Sequence, residues 1–268
     1  KNIETKWDDI VSAVKDVSDF VQGSTFIRCD KALPSYLVLI PLIYLRYHFP
    51  DAWNKDKQNF ETYLLRSLMA GAFSGTPDQL IDAIVSKINE LKAFNLDEVF
   101  GVIRSAGRSL EITEDRFWAI GYGSENIHLL FNLWYRDFNY TPVFASNLPQ
   151  IDHIFPQSML KKVKVPNPDT RSMNITKYKE GDRNQLANCM LLTARENSTG
   201  TKGDTPPDEW FKNKPAEYLT LHLIPNDPAL WKLDRFEDFI AERKKLIKDK
   251  FTYLLSVPTS SGVAQQDR

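Results

Sequence analysis

Apolar residues recur at helical spacing through the first half of this chain, and that periodicity stops after Tyr140. Ile10, Val14, Val17 and Val21 fall at i, i+4, i+7 and i+11, and Leu80, Ile84, Ile88 and Leu91 repeat the pattern. Each set predicts a stripe down one face of a helix. Thr76 is placed to cap the second of these helices, with Pro77 in its first turn, where a missing N–H costs nothing. Pro34–His48, Asn59–Phe73 and the aromatic-rich Glu125–Phe138 are apolar enough to form further helices. From Thr141 to Pro215 the chain becomes rich in Pro, Asn, Asp and Thr. Its apolar runs there, Gln150–Phe155 and Cys189–Leu192, have the length of strands. Helical character returns from Pro228 to Leu255, with Phe236, Phe239, Ile240, Leu246 and Ile247 expected on the apolar side. The expected fold is mostly α (α+β): a helical region over 1–145, a small irregular module over 146–212 and a helical closure over 213–256. The tail over 257–268 has little to bury and is expected to fray. Small irregular modules on a rigid frame usually carry the chemistry.

Composition narrows the function classes. At 268 residues, 42% hydrophobic and 26% charged, the chain can bury a core and is not a disordered segment. Its net charge of −1 excludes a protein held on nucleic acid by bulk charge, so any DNA contact must come from a local basic face. Cys29 and Cys189 show no metal-ligand spacing and read as reduced, packed thiols, which points to the cytoplasm. No signal peptide is visible, and the apolar run Leu37–Leu45 is too short to span a bilayer and contains Pro41, so no membrane association is expected. His48, His128 and His222 have no partners at useful spacing, and the tryptophans sit in apolar helical contexts and read as core.

The stretch that carries chemistry is Gln150-Ile151-Asp152-His153-Ile154-Phe155-Pro156-Gln157-Ser158. Adjacent strand residues point to opposite faces, so Asp152 and His153 can serve one site only where the strand ends, and Pro156 ends it promptly. One Asp-His pair is a weak signal by itself, equally readable as a turn cap beside a surface imidazole. Here it is followed by Asn188 before a Leu-Leu strand, and then by Asn197 with Lys202-Gly203 shortly after.

This order of Asp-His-Ile-x-Pro-Gln, Asn and Asn-with-Lys resembles the HNH, or ββα-metal, nucleases, whose members in RNA-guided nucleases also read Asp-His-Ile-x-Pro-Gln-Ser. A wider likeness, through Leu33-Pro34-Ser35, Tyr63-Leu64-Leu65-Arg66-Ser67, Phe73-Ser74-Gly75, Pro206-Pro207-x-x-Trp210-Phe211 and Phe239-Ile240-x-x-Arg243, resembles the C-terminal nuclease half of GmrSD-type restriction proteins. Those are phage-defence enzymes that recognise modified DNA, and their longer forms carry an N-terminal sensor domain. The resemblance implies a helical frame carrying a ββα-metal module that cuts DNA. It assigns Asp152 and Asn197 as metal ligands, Asn188 as the residue that ties the loop and orients the histidine backbone, and Lys202 as a basic residue near the scissile phosphate.

Chemistry supports the same roles. Neutral imidazole, with an ordinary pKa of about 6.5, suits His153 as an exposed general base. Asp152 and Asn197 offer hard oxygen atoms suited to Mg²⁺ or Mn²⁺ more than to Zn²⁺. Lys161, Lys162 and Lys164 form a short basic run, which reads as a solvated loop or a phosphate-steering patch. The long gap before Asn188 reads as an insertion over Lys164–Asp182, expected as a loop over the groove. The chain opens on Lys1 and not on Met, which together with the resemblance suggests the effector part of a larger protein. One such module cuts one strand, so a double-strand break needs a homo-oligomer or successive nicks. Two alternatives stay open at this stage: a non-catalytic DNA-binding module, and a ribonuclease using the same site.

Overall fold

A computed structural model describes residues 2–137, 149–193, 195–197 and 202–255. The expected boundary at 145/146 and the tail over 257–268 lie outside the described residues. In chain order the helices are α1 (Asn2–Thr5), α2 (Trp7–Ser24), α3 (Ile40–His48), α4 (Pro50–Met69), α5 (Asp78–Leu91), α6 (Leu96–Ser105), α7 (Glu114–Trp118) and α8 (Ile127–Trp134). There follow β1 (Gln150–His153), α9 (Gln157–Leu160), β2 (Lys164–Pro166), β3 (Met173–Thr176), α10 (Glu180–Asn184), β4 (Cys189–Leu192), α11 (Pro207–Trp210), α12 (Ala216–Leu221) and α13 (Phe236–Leu255). The mostly α (α+β) fold class is the observed one.

The chain forms two compact units. The first holds residues up to Thr113, together with His128–Trp134 and the last described residues from Leu254. Its core is aromatic: Phe20 meets Trp53 and Phe60 edge-on, and Phe94 meets Phe60 and Tyr63 in the same way. Such edge-to-face pairs add specificity to plain burial. The buried Asp56 carboxylate accepts from Phe94 N at 2.8 Å, which fixes the chain between α5 and α6 against α4.

Three expectations for this region change in detail. The buried face of α2 is Ala13, Val17 and Val21, and Val14 is exposed, because the face runs through a small residue that the apolar count passed over. Thr76 does not cap α5: Pro77 occupies the N-cap position without a side-chain hydrogen bond. The helix over Asn59–Phe73 starts earlier, at Pro50, and ends at Met69.

The second unit comprises Glu114–Ile127 and the described residues of Tyr135–Tyr253. Residues 114–127 were expected with the first helical region, but Gly121 bridges Gln185 and Phe117 packs on Phe251, so they fold with the second unit. β1 pairs antiparallel with β4 in the register Gln150↔Leu192 to His153↔Cys189. Over Lys164–Asp182, where a loop was expected, β2 and β3 form an antiparallel hairpin and α10 begins. Alternation of polar and apolar residues in Lys164-Val165 and Asn174-Ile175 permits that hairpin, although each strand is too short to announce itself.

The segment from Pro228 opens with two 3-10 turns, and α13 starts only at Phe236. Phe236 and Phe239 both meet Phe155 edge-on at 5.1 Å, which packs the exit of β1 on this helix. Leu246, expected on the apolar side, is exposed, while Arg243 is buried there. Among the described residues no helix is long and apolar enough to cross a membrane.

Candidate active site

The motif residues gather where β1 ends. Pairing with β4 continues one residue past His153, as Ile154 N donates to Asn188 O at 2.8 Å. The fully buried Asn188 side chain then takes over. Its Oδ1 accepts from Phe155 N at 2.9 Å, and its Nδ2 donates to Phe155 O at 3.2 Å and Arg183 O at 2.8 Å. An amide can do this because it offers donor and acceptor side by side, matching a backbone N–H and C=O. Asn188 therefore fastens the backbone just beyond His153 to the end of α10.

His153 is 8% exposed, so the exposed imidazole expected from the sequence is buried instead. Its Nε2 lies 3.0 Å from Asn184 Oδ1, and Gln157 Nε2 donates to the same oxygen at 3.0 Å while lying 3.2 Å from His153 Nε2. With its proton on Nε2, the imidazole donates to Asn184, and the Nδ1 lone pair is left to accept a proton. Burial pushes the imidazole pKa below its ordinary value, against the opposing hydrogen bond from Asn184 and the charge of Asp152. The ring is therefore neutral near pH 7, the form a base requires. The Tyr122 ring covers it at a centroid distance of 4.4 Å.

Asp152 stands on the other face of the strand. Its Oδ2 lies 3.5 Å from Lys202 Nζ and is buried with no hydrogen-bond partner among the described residues. Burial raises its pKa, and the nearby Lys202 ammonium opposes that shift. Lys202, expected beside the substrate, is fully buried, and its Nζ donates to His153 O at 3.2 Å and Thr205 O at 3.1 Å. Burial lowers its pKa, while Asp152 holds its charge in place. The ammonium thus braces the Asp152–His153 corner from beneath.

Asn197 donates from Nδ2 to Gln150 Oε1 at 2.9 Å. Gln150 and Asp152 are two residues apart on β1 and share a face, so the structure brings Asn197 to the side of the strand that carries Asp152. Among the described residues no group of three or more His, Cys, Asp or Glu side chains is placed to hold a metal. Lys161, Lys162 and Lys164 are all exposed.

Several residues have site roles that the sequence reading did not give them. Asn184 and Gln157 hold His153, and Gly121-Tyr122 arrives from far upstream through Tyr122 N donating to Asn184 O at 2.7 Å. Arg243 donates to Ala187 O, Cys189 O, His222 O and Leu223 O at 2.8–3.1 Å and so anchors both ends of the segment that carries Asn188. A signal for Arg243 did exist, since it falls at helical spacing from Phe239, Ile240 and Ile247 on a core-facing stripe. Cys29 and Cys189 are free thiols, and burial pushes Cys189 up to about 12, which leaves it inert as a nucleophile.

A family model described as GmrSD restriction endonucleases, C-terminal domain, matches residues 108–250. No curated protein matches the chain.

Proposed function

The chain belongs to the family of GmrSD restriction endonuclease C-terminal domains, and on that footing we propose that it is a metal-dependent HNH endonuclease that nicks DNA as the effector part of a restriction or phage-defence protein. The observation that carries this reading is the corner at the end of β1: an imidazole held by Asn184 and, next to it in sequence, a carboxylate whose buried Oδ2 makes no hydrogen bond among the described residues and lies 3.5 Å from the Lys202 ammonium. An ion pair at that distance leaves the oxygen's hydrogen-bonding capacity unused, so the carboxylate keeps room for a further ligand.

His153 Nδ1 takes the proton from the attacking water, and the Nε2–H bond to Asn184 keeps the ring aimed while it does so. Asn188 fixes the backbone that carries the ring. Lys202 keeps Asp152 ionised despite its burial. Asp152 and Asn197 would hold Mg²⁺ or Mn²⁺. These hard oxygen donors, with few carboxylates, suit an ion that keeps several waters and shares phosphate oxygens. When bound, such an ion supplies charge stabilisation to the pentacoordinate phosphate and its leaving oxygen. An N-terminal sensor domain would supply the choice of DNA, and a homo-oligomer or successive nicks would supply a double-strand break.

The test is plasmid nicking with Mg²⁺, with Mn²⁺ and with EDTA, on wild type and His153→Ala, with an RNA substrate alongside. Nicking of DNA should require the ion and fall roughly 10²- to 10⁴-fold in the variant. Near-wild-type cleavage by His153→Ala would remove the mechanism, and preferential cleavage of RNA would replace the substrate.

A further inference from the structure

Tyr122 lies against His153, with the rings tilted by 35°, yet 46% of its surface is open to solvent. A tyrosine this exposed is not held by burial, so its position needs another cause. Two backbone features supply it. Gly121 forms a bridge to Gln185, and a Cβ at that position would stand 2.5 Å from Asn184 O, a distance no side chain allows. Tyr122 N then donates to that same Asn184 O at 2.7 Å. Asn184 therefore holds Tyr122 by its carbonyl and His153 by its side chain, so one residue sets the positions of both rings. Gly123, at φ +86°, turns the chain away immediately afterwards.

The result is an aromatic ring, open to solvent, against the imidazole proposed to activate water. We propose that Tyr122 is a stacking platform for an unstacked nucleobase of the nucleotide that flanks the scissile phosphate. The inference rests on the nuclease reading above and adds a contact that reading does not contain. A nucleobase is the fitting occupant for two reasons. Every base presents a π-face, so stacking on tyrosine binds a strand without choosing its sequence. A chain with a net charge of −1 also gains little from bulk attraction to phosphates, so a contact to the base itself adds what bulk charge does not supply. The ring would place the nucleotide while His153 acts on the water.

The test measures binding without cleavage, in EDTA, using a short single strand that carries the fluorescent base 2-aminopurine at alternate positions. Wild type should quench the fluorescence on binding. Tyr122→Ala and Tyr122→Leu should lose the quenching and bind about fivefold or more weakly, in line with the usual effect of removing an aromatic platform. Tyr122→Phe should keep both, which separates stacking from a folding defect. A strand of the same length made wholly of abasic residues should bind wild type and Tyr122→Ala equally. Wild-type quenching and affinity in Tyr122→Ala, or full retention by Tyr122→Leu, would overturn the proposal. Failure of the nuclease reading shows separately, as a wild type that binds and quenches but does not nick plasmid.

Discussion

Replacing Asn188 with alanine tests whether the middle Asn of the motif is a fastener or a direct participant. The variant removes the bonds to Phe155 N, Phe155 O and Arg183 O, all made by a side chain with no exposed surface. At about 1 kcal/mol net for each bond, the loss is about 3 kcal/mol, and backbone groups left without water or partner would increase it. Against a total stability of about 5–15 kcal/mol, that is a large fraction. In urea unfolding followed by tryptophan fluorescence, a slope of about 2 kcal/mol/M turns this loss into a midpoint lower by about 1.5 M. Asn188→Asp should not rescue it, since a carboxylate keeps the acceptor for Phe155 N but points a second oxygen at two carbonyls. Nicking should fall as well, measured where the variant is still folded, because the backbone leaving His153 loses its tie. An Asn188→Ala protein that unfolds within about 0.5 kcal/mol of wild type would refute the fastening role.

Other outcomes follow from the same contacts. Gly121→Ala forces a methyl group into Asn184 O, so it should cost about 1–3 kcal/mol and reduce nicking together with DNA binding; unchanged unfolding and nicking would contradict the bridge. Arg243→Met strips the donors from Ala187 O, Cys189 O, His222 O and Leu223 O and should cost at least about 3 kcal/mol, measured by urea unfolding. His222 is buried on the Tyr135 hydroxyl, and burial pulls its pKa down to about 3, whereas the unfolded chain titrates near about 6.5. Its folded pKa lies below the unfolded one, so only the unfolded chain takes up the proton as pH falls below about 6.5, and stability present above that pH is lost on acidification. Between pH 6.5 and 5 the loss is about 2 kcal/mol. A His222→Gln protein should lack that component, and an equal pH dependence in the two proteins would remove the assignment. His153→Ala should now lower the melting temperature, because the imidazole is buried; an unchanged melt would mean that its bond to Asn184 contributes nothing.

The helical frame and the two motif strands were legible because both leave apolar patterns that a single sequence displays, helical spacing in one case and short runs in the other. Cys189–Leu192 is a continuous apolar run, and all of it is buried against β1. What could not be read is whatever depends on which residues meet across long sequence distances. Gly121 looks like an ordinary turn glycine until Asn184 stands where its Cβ would be. Lys202 sits beside glycine in a polar segment, which reads as a solvated turn, yet it is fully buried beneath the strand corner. Asn184 carries no pattern of its own, and Gln157 stands in the motif without announcing its contact, since a hydrogen bond to an imidazole leaves no periodic trace. Leu246 and Val14 show the reverse error: a hydrophobic residue at a plausible spacing is not thereby buried, whereas Arg243 fills a core position by donating to four carbonyls.

Asp152 and His153 pose a geometric problem for the proposed mechanism, because neighbours on a strand diverge while that mechanism asks one phosphate to meet both. Both residues are held from beneath the backbone. Lys202 reaches the carbonyl of His153 and the carboxylate of Asp152 with a single ammonium, so the strand ends on a fixed charge and not on a frayed tip. Asn188 holds the next residues so that the chain turns immediately after the histidine. Each of these groups is unfavourable by itself, and burial drives both Asp152 and Lys202 towards their neutral forms. A buried ammonium and carboxylate are not what stability alone would select, because a buried pair rarely outdoes an apolar replacement. Perturbed ionisable groups gather at functional sites, and these two meet beside the imidazole, which fits the proposed catalytic corner better than a purely structural one.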